Sequence, residues 1–149
     1  MSADAVVKAP SRRRWGMVLK RAEQSMLSAK SQALKPAGLT LAQYVALDAL
    51  EAEPGLAAAS LARACLVTPQ AIMVALKAMD EQGLIVRSPH PRHANVLELR
   101  LTDVGREALR CARELVAPVE QRLNEAIPGE DAQVLTELLE RVIEAAAPC

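Results

Sequence analysis

Between Gly83 and Thr102 the apolar pattern of this chain changes period twice. Before Gly83, hydrophobic residues recur every three or four positions, as they do along one face of a helix. After it they alternate: Leu84-Ile85-Val86-Arg87 is strand-like, and Val96-Leu97-Glu98-Leu99-Arg100-Leu101 places Leu97, Leu99 and Leu101 on one predicted inward face. The segment between them, SPHPRHAN (88–95), is polar and broken by proline. At Thr102-Asp103 the helical period returns, with Asp103 in the first turn, where the helix dipole favours a negative charge. One side-chain pattern cannot satisfy both periods, so this order predicts helices interrupted by a single hairpin.

The flanking segments read as helices with definite ends. Residues 1–11 form a flexible tail by composition, and a first helix is predicted from about Arg12 to Leu34, closed by Pro36 and Gly38. A second runs from Thr40, a good N-cap, to Ala52, with Leu41, Val45, Leu47 and Leu50 apolar; Pro54-Gly55 stops it. A short third helix, Ala58 to Ala64, points Leu61 and Ala62 inward and has no capping residue. After the turn Ala64-Cys65-Leu66-Val67, Thr68 caps a fourth helix, Pro69 occupies its first turn and Gly83 follows its end. Ile72, Ala75, Leu76 and Met79 are its predicted core face. A fifth helix starts at Asp103 and is expected to kink or break near Pro118 before reaching about Ala126. A sixth, about Glu130 to Ala146, carries a broad stripe of Val134, Leu135, Leu138, Leu139, Val142 and Ile143.

Composition bounds the function. The 149 residues are 51% hydrophobic, chiefly Ala, Leu and Val, with no Phe, one Trp and one Tyr; this suits one domain of closely packed helices. Net charge is zero but unevenly spread: residues 1–39 hold eight Lys/Arg against two Asp/Glu, residues 40–101 five against six, and residues 102–149 five against ten. Such ends suit a chain that meets a second copy of itself, although a charge run is also an ordinary solvated face. No apolar run approaches the ~20 residues of a membrane span, and the N-terminus lacks a signal-peptide stretch, so a cytoplasmic protein without a membrane partner is expected. Cys65, Cys111 and Cys149 are an odd number without metal-site spacing, which argues against a disulfide framework. No catalytic triad, phosphate-binding glycine loop or paired carboxylate stands in a convincing context, so neither an enzyme nor a cofactor is expected.

Helix, turn, helix and hairpin, framed by long apolar helices, is the order of a winged helix-turn-helix protein. Over about residues 12–146 the chain resembles the MarR-type transcriptional regulators. The resemblance rests on LTLAQYVALDAL (39–50), SLARACLVTPQAIMVALKAMDEQGLIVRSPHP (60–91) and VLELRLTDVGREAL (96–109), with GLIVR…LRLTDVG the most specific part. It implies a mainly α fold with a small β-hairpin wing: a winged helix-turn-helix DNA-binding domain over 39–102, and a helical dimerisation region from 12–36 and 103–147. It also implies a homodimer acting on a pseudo-palindrome of double-stranded DNA, most often as a repressor.

Residue by residue, the recognition helix resembles 68–82. Its outward positions would be Thr68, Gln70, Ala71, Met73, Val74 and Lys77. Thr68 and Gln70 can donate to phosphate or base edges, and Gln suits adenine; Ala71, Met73 and Val74 can touch only thymine methyls or sugar; Lys77, and Arg63 from the bracing helix, can meet phosphate. His90, Arg92, His93 and Asn95 are the polar candidates of the wing, with Arg92 the best placed for a minor groove or phosphate. Two departures lower the positive charge. Met73 and Val74 stand where similar proteins often carry polar or Arg residues, and Ala94-Asn95 stands where the wing often ends in Gly-Arg. Arg12-Arg13-Arg14 either compensates near the DNA backbone or is simply a solvated helix start.

The resemblance further implies an effector pocket between the reading and dimer regions. Trp15, Met26, Tyr44 and Leu109 are candidates for lining it around a small aromatic or phenolic effector, with core packing the plainer alternative. Some relatives sense oxidants through a cysteine near the first helix; this chain has none there. Cys65, before the recognition helix, is either a redox-responsive position or a small buried residue. His90 and His93 are too few for a closed zinc site, and a protonated His on phosphate is the better use of them. The alternative function is a winged-helix protein with weakened DNA binding that acts through protein or small-molecule contacts.

Overall fold

In the computed structural model, which describes residues 14–148, six α-helices and one hairpin follow in the order that the two changes of period require. The tail 1–11, Arg12, Arg13 and Cys149 lie outside the described residues. Helix α1 (Trp15–Leu34) runs into a short 3-10 turn, Lys35–Ala37, closed by left-handed Gly38. Helix α2 (Leu41–Ala52) is held at its start by reciprocal bonds: the Gln43 amide donates to Thr40 Oγ1 at 3.2 Å, and the Thr40 amide donates to Gln43 Oε1 at 2.8 Å. That reciprocal cap explains why Gln43, a polar residue, is buried. Helices α3 (Ala58–Ala64) and α4 (Pro69–Glu81) follow, then strands β1 (Ile85–Pro89) and β2 (Leu97–Leu101), antiparallel with Ile85 opposite Leu101 and Pro89 opposite Leu97. Helices α5 (Asp103–Ala126) and α6 (Gly129–Ala146) complete the chain.

The core collects one face from each element between α2 and α5. Leu47 and Leu50 of α2, Leu61 of α3, Ile72, Leu76 and Met79 of α4, Leu99 of β2, and Leu109 and Val116 of α5 are almost wholly buried. Helix α1 adds only Leu34, and α6 adds nothing: no residue of its 18 is buried within the chain. No single helix among the described residues is long and apolar enough to cross a membrane.

Two expectations change. Leu97 does not face inward with Leu99 and Leu101; it is 46% exposed, because its partner Pro89 lies at the outer end of the hairpin. Of the kink or break expected at Pro118, the break is absent: α5 runs through it as one helix. The hydrogen bond that Pro118 forfeits would have gone to the Glu114 carbonyl, and both residues are exposed, so water can satisfy that oxygen. A smaller difference concerns the hairpin ends: β1 begins at Ile85 and takes Ser88 and Pro89 from the expected loop.

The start of α5 is locked onto the end of α4. Thr102 Oγ1 donates to the Gly83 carbonyl at 2.6 Å and accepts from the Gly105 amide at 3.0 Å, while the Thr102 amide donates to the Leu84 carbonyl at 3.1 Å. Gly105 is buried so closely against Leu84 that an added methyl would overlap the Leu84 carbonyl oxygen. Backbone cannot yield as a flexible side chain can, so Gly105→Ala is expected to destabilise the fold by about 3 kcal/mol. In a chain of this size that lowers the melting temperature by roughly 10 °C. Thermal unfolding followed by circular dichroism measures it, and an unchanged melting temperature would contradict the tight junction.

Candidate nucleic-acid interface

The turn between α3 and α4 sets how α4 is presented. Cys65 ends α3, and Leu66 takes a left-handed backbone (φ 55). The Leu66 amide donates to the Arg63 carbonyl at 3.2 Å and the Val67 amide to the Ala62 carbonyl at 3.1 Å, the paired closure of a Schellman cap. The chain thereby bends by 111° into α4, within the usual range for a helix-turn-helix. Thr68 caps the new helix by accepting the Ala71 amide at 3.1 Å. Its hydroxyl proton remains available to a phosphate or base. Pro69 at the first helical position forfeits no bond.

Helix α4 has two opposed stripes. Ile72, Ala75, Leu76 and Met79, at i, i+3, i+4 and i+7, are buried against α2, α3 and the sheet. Gln70, Met73, Val74 and Lys77 repeat the same spacing two residues earlier, about 200° around the helix. They are exposed, as are Thr68 and Ala71. Met73 is 49% and Val74 73% accessible to solvent.

Ion pairing sorts the cations of this region. Arg87 binds Asp80 at 2.6 Å, and Arg100 binds Glu98 at 2.9 Å, which neutralises both. Arg63, Lys77 and Arg92 make no ion pair among the described residues, and Arg63 only donates to Ser60 Oγ at 3.1 Å. The free cations are therefore one on α3, one on the outward stripe of α4 and one on the wing.

The wing tip is ordered by its own histidines. The His90 amide donates to the Val96 carbonyl at 2.8 Å, and the Val96 amide to the His93 carbonyl at 2.8 Å. His90 Nδ1 accepts the Arg92 amide at 3.0 Å, and its Nε2 faces Glu98 at 3.6 Å. His90 thus turns inward to brace the loop, with the His93 ring 5.1 Å away, while Arg92, His93 and Asn95 remain exposed.

The four residues considered for an effector pocket are not brought together. Leu109 is fully buried in the core, and Met26 is 41% exposed on α1. Trp15 lines an apolar cleft of about 1160 Å³ between α1 and α6, with Leu135 and Leu138 opposite. Tyr44 lines a separate cleft of about 560 Å³ between α2 and α5, beside Arg113, Val116 and Glu120. Two ion pairs surround Tyr44 and were not apparent in the sequence: Arg113 to Asp48 at 2.7 Å, joining α5 to α2, and Lys30 to Glu120, joining α1 to α5. Burial, then the Asp48 carboxylate, raises the Tyr44 pKa above its ordinary value, so the phenol keeps its proton at neutral pH. The same two causes raise the pKa of Cys65, which keeps it a thiol and disfavours oxidation.

The chain matches the model of the MarR family over residues 37–94. It is 31% identical to the HTH-type transcriptional repressor Rv2887 of Mycobacterium tuberculosis over 127 residues, 85% of this chain and 91% of that protein. Among solved structures it is similar to the transcriptional repressor CouR bound to a 23-mer DNA duplex, with 31% identity, a TM-score of 0.77, and coverage of 86% of this chain and 91% of that one. CouR bound to p-coumaroyl-CoA matches at the same identity with a TM-score of 0.74, covering 86% of this chain and 90% of that one. Rv2887 in complex with salicylic acid matches at 31% and 0.67, covering 85% and 94%.

Leu66 holds a backbone conformation that glycine adopts without strain, and its side chain is 93% exposed, so no packing offsets the cost. Leu66→Gly is expected to stabilise the chain by about 1 kcal/mol. Urea unfolding tests this; a loss of stability would mean that the leucine has a partner in solution.

Proposed function

The chain belongs to the MarR family, and on that premise we propose that it is a cytoplasmic, homodimeric transcriptional repressor that a small aromatic acid releases from DNA. The observation that carries the reading is the outward stripe of α4 beside the three unpaired cations Arg63, Lys77 and Arg92. Helix α4 enters the major groove, Gln70 meets a base edge, and the cations meet phosphates on either side. Two copies place their recognition helices about 34 Å apart on a pseudo-palindromic operator.

The second copy is supported by α6. Its Val134, Leu135, Leu138 and Ile143 are between 39% and 62% exposed in one chain, and Trp15 and Val18 of α1 add 52% and 53%. A contiguous apolar surface of that kind is stable when another chain covers it. In the proposed dimer, α1, α6 and the end of α5 carry that contact.

Release of DNA is routed through the cleft beside Tyr44. Arg113 and Asp48 hold α2 to α5, and Lys30 and Glu120 hold α1 to α5. An aromatic carboxylate beside Tyr44 competes with Asp48 for Arg113, loosens α2 from α5 and changes the spacing of the two recognition helices. The salicylic acid bound by Rv2887 supports this class of effector, and the p-coumaroyl-CoA bound by CouR supports its aromatic part.

A salt series tests the DNA reading. Three phosphate-contacting cations per protomer, six per dimer, give a log–log slope of affinity against salt of about −5. A slope near zero, without preference over random DNA, overturns the proposal. Gln70→Ala is expected to cost roughly 1–3 kcal/mol at one base pair per half-site and to relax specificity there, whereas Arg92→Ala weakens all sequences evenly. Leu138→Glu, at a position 48% exposed in the single chain, is expected to give a folded monomer that no longer binds operator. Sedimentation reads the mass, and a variant that remains dimeric contradicts the assigned interface.

A further inference from the structure

The outward stripe of α4 is apolar in its middle and polar at its ends: Gln70, then Met73 and Val74, then Lys77. Arginine, the usual partner of guanine O6 and N7, is absent from Pro69–Glu81. We infer that Met73 and Val74 read the C5 methyl groups of thymine, so that the half-site beneath α4 is built on A·T pairs. This rests on the reading of α4 as the recognition helix.

The physical case has two parts. The one apolar substituent on the floor of the major groove is the thymine methyl; the other groups by which base pairs differ there are hydrogen-bond donors or acceptors. Met73 and Val74 have no polar atom that pairs with those edges, and their exposure of 49% and 73% leaves them uncovered within the chain. Against a G·C pair they would strip water from guanine O6 and cytosine N4 and return no hydrogen bond, which is costly. Against thymine they bury methyl on methyl. Gln70 lies about 6 Å along the helix from Val74, the length of roughly two base-pair steps, so adenine at Gln70 and thymine at Val74 fit pairs two steps apart. Lys77, a turn further on, reaches the phosphates bordering the same groove.

The probe is the duplex recovered by affinity selection of the full-length protein from a randomised library, resynthesised with deoxyuridine for thymidine at single half-site positions. That change removes one methyl and leaves base pairing intact. The expected result is a loss of about fourfold in affinity for each methyl contacted, measured by fluorescence anisotropy at fixed salt. The Met73→Ala, Val74→Ala double variant, altered only outside the core, should melt like the parent and lose most of the parent's preference for the thymine over the uracil duplex. Equal binding of both duplexes by the parent protein, or selection of G·C pairs at the helix-contacted positions, overturns the inference while leaving DNA binding intact. Selection that enriches no sequence overturns the DNA reading itself, and points to a protein surface as the partner of the apolar stripe.

Discussion

One hydroxyl joins the end of α4 to the start of α5. Thr102 Oγ1 donates to the carbonyl of Gly83 and accepts the amide of Gly105, and it does so only because Gly105 lets the α5 backbone approach the Leu84 carbonyl. Gly83, left-handed at φ 70, closes α4 and turns the chain into β1 at the same point. The hairpin, α4 and α5 therefore share one tightly packed corner. Such a corner suits a protein in which a distant ligand moves a DNA-reading helix.

Elsewhere α5 meets α2 through the buried core, where Leu109, Ala112 and Val116 share one apolar cluster with Leu47 and Leu50, and two accessible ion pairs lie outside it. Asp48–Arg113 is half exposed on both sides, and Lys30–Glu120 is partly exposed. Exposed ion pairs contribute little to stability, on the order of 0–1 kcal/mol. The unpaired cations are equally sparing: Arg87 and Arg100 are neutralised by neighbours, and the affinity left to Arg63, Lys77 and Arg92 is limited. In the proposed complex, specificity then depends on the shape and methyl pattern of the groove more than on charge.

Much of this was legible in the sequence, because period, caps and breakers act locally. The helix boundaries at Thr40, Thr68, Gly83 and Thr102 follow from residues within four positions of each end. The core face of α4 followed from spacing alone. Leu97 was misplaced because alternation says which residues share a face but not where the helices beneath that face stop. A break at Pro118 did not follow because the lost bond faces water. Leu66 carried no signal at all: a leucine in a left-handed cap contradicts its own preference, and the tertiary frame imposes it.

Taken alone, the sequence determined the order of helices and hairpin, the ends of the capped helices, and the two faces of α4. These depend on interactions among residues close along the chain. The tertiary structure decided which cations remain unpaired, that His90 braces the wing from within, that Trp15, Met26, Tyr44 and Leu109 occupy four separate settings, and that Arg113 reaches Asp48 across 65 positions. Charge pairing and cavity lining depend on residues far apart in the chain, and their distances exist only once the core has packed.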